Sequence, residues 1–294
     1  MKISSLIIIY YSLHRLIRIV IGVSLSVKEL LDNTYNYWVS QLPNEPYLKG
    51  ITFFLNRDKY EMRYKMNYSQ VQEIARETMS YMMAMIKPGQ NLIDVRKMCE
   101  QKMLELGADS FWYWDIGAFI FSGDETARSV SGRQYQTTDR IIMENDIITI
   151  DLSPQWNDIW GDYARTVIIE NGIVKETIHD IKNEEWKNSL LMEERLHTKL
   201  KEYVTPDTTF EQVYDYFNDL INQSNYVNLD FMGNLGHSIV KRKEDRIYIE
   251  KGNTSRLSEV DLFTFEPHIS TVGSRYGYKK ENIYSFSNNK LIEI

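Results

Sequence analysis

A chain of 294 residues, 43% hydrophobic and 26% charged, is long enough to bury a sizeable core. Its formal net charge of -7, with no Lys/Arg-rich run standing out, argues against a nucleic-acid binder, which needs a basic face to neutralise phosphates. A single cysteine, Cys99, excludes an internal disulfide and fits a reducing compartment such as the cytoplasm. Cys99 sits in a helical pattern, which reads as a small buried hydrophobe rather than a nucleophile.

Residues 1–25 are rich in Ile, Leu and Val, but Lys2, His14, Arg15 and Arg18 interrupt them. The uncharged stretch from Ile3 to Leu13 is shorter than the roughly 20 apolar residues a membrane-spanning helix needs, so no stable span is expected. His14-Arg15 follows where a signal peptide would place small residues. The segment reads as dispensable, or as a weak amphipathic membrane contact. Residues 26–60 hold prolines and a glycine without a sustained period, as a connector or the remnant of an N-terminal domain would. The expected organisation is an N-terminal segment over 1–61 and a single domain over 62–294.

From Ser69, Val71, Ile74, Ala75, Thr78, Met79 and Met82 recur at helical spacing until Lys87-Pro88-Gly89. A second helix is expected from Leu92 to about Leu106, stopped by Gly107. The stretch Ile86 to Ala108 then has an echo at Tyr203 to Asn225, with Pro88 facing Pro206, Leu92 facing Phe210, Val95 facing Val213 and Met103 facing Ile221. A long helical pattern precedes each copy, the second from Asn183 to Glu202, and strands follow each. Two equivalent halves suggest a pseudo-symmetric α+β domain with a site at their junction; chance agreement between two amphipathic helices is the alternative.

The strands carry the acids. Ile147 to Ile150 is a β-branched run ending on Asp151, Arg165 to Ile169 is preceded by Asp162, and Asn171-Gly172 closes a tight hairpin onto Ile173 and Val174. Val260 to Phe265 ends on Glu266-Pro267, and Glu281 precedes a last strand over Ile283 to Phe286. His237 is the histidine set beside a glycine, whereas His14, His179 and His197 read as solvated. Asp151 and Asp162 could simply cap a loop and a turn. A carboxylate aimed into a sheet protein's interior is otherwise costly unless it is paired or bound to metal. Four carboxylates and one imidazole at strand ends suit Mn, Fe, Co or Zn, and five ligands exceed one open catalytic site. They suit two ions about 3.5 to 4 Å apart.

The ordered set Asp, Asp, Gly-His, Glu-Pro, Glu, carried by IDLSPQWNDIWGDYARTV, LGHSIV, FTFEPHI and KKENIYSF, resembles the pita-bread metallopeptidases. That family includes methionine aminopeptidase, aminopeptidase P, prolidase and the non-peptidase creatinase, and the likeness covers about residues 62 to 294. The gaps between His237, Glu266 and Glu281 are most similar to the prolidase and aminopeptidase P branch. The resemblance implies a pita-bread fold, with duplicated halves around a curved antiparallel sheet, and an Xaa-Pro type aminopeptidase or dipeptidase. It implies that Asp151 chelates a first ion, Asp162 and Glu281 bridge two, and His237 and Glu266 complete the second. A bridging hydroxide would attack, and Glu266 would move its proton to the leaving amine.

Two histidines usual in the family's peptidases are replaced, by Gln134 and Glu244. They and Arg165 are the expected substrate-binding positions, and His268 could supply an imidazole from another direction, as a catalytic group or as a surface histidine. Ser153, Ser238 and Val240 stand where glycines are common. Three readings follow: a dinuclear peptidase on short peptides, a metal-dependent hydrolase or lyase on a small non-peptide molecule, and a non-catalytic binding module. A homodimer is compatible with any of them.

Overall fold

The computed structural model describes residues 67–294; the N-terminal segment and the expectations made for it lie outside the described residues. Helix α1 (Tyr68–Met85) starts at Asn67, whose side chain accepts from Gln70 N while the Gln70 side chain accepts from Asn67 N, a reciprocal capping box. Helix α2 (Leu92–Glu105) follows. Strands β1 (Ser110–Phe111), β2 (Ala118–Ser122), β3 (Asp146–Leu152), β4 (Pro154–Trp156), β5 (Ile159–Trp160), β6 (Tyr163–Glu170) and β7 (Ile173–Val174) complete the first half. The second half repeats the order with α3 (Glu184–Tyr203), α4 (Phe210–Gln223), β8 (Tyr226–Asn228), β9 (Ser238–Ile239), β10 (Leu262–Phe265), β11 (His268–Thr271), β12 (Tyr278–Lys279), β13 (Asn282–Ser287) and β14 (Lys290–Glu293).

The duplication is architectural. Moving α2 forward by 118 residues places it on α4 end for end, and the same shift carries β6 onto β13 and β7 into β14. Leu92, Val95, Cys99 and Met103 of α2 are fully buried, as are Phe210, Val213, Phe217 and Ile221 of α4. The two sets belong to separate apolar clusters, one under each helix pair. Each half therefore buries its own helix face on its own sheet, the α+β arrangement the echo implies. Cys99 is a buried hydrophobe, and burial raises its thiol pKa.

The sheet is not one continuous surface. It divides into two four-stranded antiparallel pieces, β2-β3-β6-β7 and β9-β10-β13-β14, and two three-stranded ones. An isolated bridge between Ala164 and Glu281 joins the two halves. The Asn171-Gly172 hairpin forms as expected, with both residues at positive φ (54° and 75°), the backbone a two-residue turn requires. Three local expectations change. The segment from Asp151 to Asp162 is a hairpin of β4 and β5 rather than a loop, turning at Asn157 with φ 53°. Strands of two and three residues leave no apolar run to read. Asp151 lies within β3, one residue short of its end. His197 is buried on the inner face of α3 beside Leu196 and Leu200, its Nδ1 2.7 Å from the Tyr284 hydroxyl and its Nε2 3.0 Å from the Lys280 carbonyl. Burial holds its pKa well below the ordinary range.

Candidate metal centre

Each acid is positioned by its strand. On β3 the period of two turns Ile148 and Ile150 into the helix-packed core and Thr149 and Asp151 into a cavity on the other side. Asp162 is held by α1: the Gln72 amide donates to the Asp162 carbonyl (2.7 Å), and its oxygen accepts from Asp162 N (2.9 Å). His237 follows Gly236, which sits at φ 145° with its α-carbon against β10, so that a Cβ there would lie 2.2 Å from the Thr264 carbonyl oxygen. That approach lets His237 N donate to Thr264 Oγ1 (3.0 Å) and Thr264 N donate to the His237 carbonyl (2.7 Å). Glu266 N donates to Leu235 O, and Glu281 N donates to Ala164 O across the junction.

The five side chains converge. Asp162, His237 and Glu281, all buried, present ligand atoms within 4.8 Å of one another. His237 Nε2 is 3.6 Å from Asp162 Oδ2 and 3.5 Å from Glu266 Oε1. Its Nδ1 lies 3.1 Å from the Ser238 carbonyl, which fixes Nδ1 as the donor and turns the Nε2 lone pair toward the acids. Trp112, Trp160 and Tyr248 surround the ring. Both Glu281 oxygens are buried without a hydrogen-bond partner. A buried carboxylate without a hydrogen bond, facing an imidazole lone pair and a second acid, is a donor set that suits a divalent cation.

The electrostatics agree. Burial, then Asp162 and Glu266, holds the Glu281 carboxyl well above the usual carboxylate range. Asp162 is raised well above it by burial, Asp151 and Glu266. Asp151 is raised by burial against the opposing charge of Lys279. For Glu266, burial pushes upward, but the cationic surroundings, Lys279 first, outweigh it and hold the carboxyl below its ordinary value. Burial lowers His237 to about 4, so its imidazole is neutral and able to ligate.

A cavity of about 300 Å³ opens over these groups. Trp112, Tyr113, Phe119, Phe121 and Tyr248 give it aromatic walls, and Arg246 is in its lining, its guanidinium 4.9 Å from the Trp112 ring. His268 lines it as well, with its Nε2 2.7 Å from Thr126 O and its pKa lowered to about 4 by burial and Lys279. Gln134, Glu244 and Arg165 are not in its lining. Gln134 is exposed in a turn, and the adjacent Tyr135 takes the inward place, bonding Ile120 N. Glu244 is exposed in the short turn Lys243–Asp245, and Arg246 reaches the cavity instead. Arg165 pairs with Ile150 on β3 while Ala164 pairs with Asp151, so it leaves on the opposite face. There it donates to the Glu281 carbonyl and Asn282 Oδ1, both at 2.7 Å.

One group at the centre of the cluster was not expected from the sequence. Lys279 Nζ is 2.6 Å from Asp151 Oδ2, 3.0 Å from Glu266 Oε2 and 3.7 Å from Glu281 Oε2. Strand period offered a signal, because Lys279 stands two residues before Glu281.

Comparisons with known proteins bear on the fold and the family. The X-Pro aminopeptidase from Thermotoga maritima MSB8 superimposes with a TM-score of 0.63 at 19% identity, over 77% of this chain and 59% of that one. Prolidase from Pyrococcus furiosus does so with 0.60 at 20% identity, over 77% and 61%. A methionine aminopeptidase from Thermotoga maritima does so with 0.61 at 14% identity, over 76% and 93%. The chain thus spans about three fifths of the aminopeptidase and prolidase chains and nearly all of the methionine aminopeptidase. Among curated proteins no match was found. The likeness to the solved structures is one of fold, α+β of the pita-bread type. The model of metallopeptidase family M24 matches residues 67–287, which contain all five converging side chains, and the chain belongs to that family.

Proposed function

We propose that the chain is a divalent-metal-dependent hydrolase that cleaves the N-terminal bond of short peptides, of the Xaa-Pro type, with its chemistry in residues 62–294. The observation that carries the reading is the buried set Asp162, His237 and Glu281, with neither Glu281 oxygen hydrogen-bonded and a neutral imidazole beside them. A divalent cation held there supplies Lewis acidity for a carbonyl and acidifies water. Everything else is the work of the chain. Glu266, kept anionic chiefly by Lys279, accepts the proton of the attacking water and returns it to the leaving amine. The aromatic walls suit a small apolar ring such as proline, and a cavity of about 300 Å³ lies at the lower end of small-molecule sites. Arg246, clamped over Trp112 and Tyr248, offers a fixed positive charge to a substrate carboxylate.

A panel of Xaa-Pro dipeptides, proline-free dipeptides and small amides, assayed with added Mn²⁺ or Co²⁺, tests the reading. Turnover of Xaa-Pro dipeptides that chelation abolishes is the expected result. A second reading, hydrolysis or elimination on a small non-peptide molecule, is favoured by one observation. Gln134 and Glu244, which stand where the resemblance places peptide-handling histidines, are both exposed and outside the cavity lining. Turnover confined to the small amides would select it, and metal binding without turnover of anything in the panel would favour a binding module.

A further inference from the structure

Lys279 is held where it is from two sides. Its backbone N donates to Thr166 Oγ1 (2.8 Å), and the same hydroxyl donates to its carbonyl (3.1 Å), while β11 pairs it with His268. The side chain is largely buried, and the ammonium touches acids from three separate segments: Asp151 in β3, Glu266 after β10 and Glu281 before β13. An ammonium has three donors and no acceptor, so it can occupy a cation's place among carboxylates but cannot serve as a ligand. Divalent ions of the size considered take oxygen ligands at about 2.0 to 2.2 Å. An ion between Asp151 and Glu266 would therefore need the oxygens that Lys279 already holds at 2.6 and 3.0 Å. The other donors are differently placed. Asp162, His237 and Glu281 face one another within 4.8 Å, and neither Asp162 nor His237 contacts the ammonium closely enough to pair with it.

We infer that the two cation positions of this site are unequal: one divalent ion binds at Asp162, His237 and Glu281, while the Lys279 ammonium fills the second position between Asp151 and Glu266. A second ion enters only by displacing that ammonium. Charge requires the displacement, because one divalent ion and one ammonium compensate three of the four carboxylates, whereas two ions and a retained ammonium would overcompensate them at contact distance. The inference rests on the metal site proposed above and adds its stoichiometry.

Equilibrium dialysis of the metal-stripped full chain against Mn²⁺, with elemental analysis, calorimetry and electron paramagnetic resonance, tests it without any assay of activity. The parent should take up one ion tightly and show the signal of an isolated Mn²⁺. Lys279→Met should bind a second ion at least about tenfold more tightly than the parent does and show a spin-coupled pair. Asp151→Asn, which keeps the shape of the pocket, should retain the tight ion at parental affinity. Two equally tight ions in the parent would overturn the inference and leave the hydrolase reading standing, as would a Lys279→Met variant that still binds one. Loss of the tight ion in Asp151→Asn would overturn it even if Lys279→Met failed to fold. No Mn²⁺ uptake by any form would overturn both the inference and the metal site on which it rests.

Discussion

Glu266 and His237 occupy the same few ångströms but carry separable duties. Glu266 is the converging acid whose pKa is lowered, because its cationic surroundings, Lys279 first, outweigh its burial, so it rests as the base of the cluster. Glu266→Gln preserves volume and one ligating oxygen but cannot take up a proton. Turnover should fall by about two to four orders of magnitude while the parental metal content survives, the usual worth of a positioned acid-base group. A variant with near-parental turnover at saturating metal would remove Glu266 from proton transfer. His237→Ala deletes a neutral ligand from the Asp162 and Glu281 set. Its expected effect is a weaker ion with activity recovering as metal is raised, and a titration of activity against Mn²⁺ concentration reads this directly. If activity failed to recover at any metal concentration, His237 would have a role beyond ligation.

Among the elements, the duplicated helix pairs made the fold legible, because an apolar period of 3.6 is readable from one strand of sequence and each copy carries its own start signal. Thr209 caps α4 with a reciprocal box to Gln212, and Asn91 caps α2 through Ile93 N. Thr209→Ala should therefore cost about 1 kcal/mol of unfolding free energy, and Thr209→Ser much less; denaturant melts of the two variants distinguish a cap from a side chain that merely packs. The five converging residues were legible for a related reason: acids and a Gly-flanked histidine at the ends of apolar strands stand out against their neighbours. What stayed hidden depends on contacts across long sequence separations. Lys279 and Lys280 are adjacent and identical in type, yet strand alternation sends the first to Asp151, 128 residues away, and the second to Glu194 on α3. Glu244 was expected at the site because it stands where the family resemblance places a histidine, and Arg165 as a positive charge near Asp162. A one-residue choice of face in β6 and a three-residue turn after β9 remove them from the cavity.

At the scale of the whole domain, the junction between halves is packed with charge that must be neutralised to be buried, and Glu193 of α3 shows the consequence. It lies buried, with Thr166 donating to its Oε1 at 3.4 Å, and burial raises its carboxyl to about 8 even though Lys280 and Arg165 pull the other way. A carboxyl whose folded pKa lies above its unfolded value keeps its proton in the folded state across the window between them. The unfolded chain gives that proton up as pH rises past about 4.5, the ordinary glutamate value. Its contribution to stability is thus fully present below that pH, declines as pH rises through the window, and levels off above about 8. Glu193→Gln holds the neutral form at every pH. The parent should lose stability relative to this variant between pH 5 and 8, by a few kcal/mol at most on the order-of-magnitude scale of one pKa shift. Subtracting the two melting curves at each pH cancels the titrations they share, including those of the metal centre. A difference that stays constant from pH 5 to 8 would mean that Glu193 is already ionised at neutral pH. Lys280 and Arg165, rather than burial, would then set the protonation at the junction of the two halves.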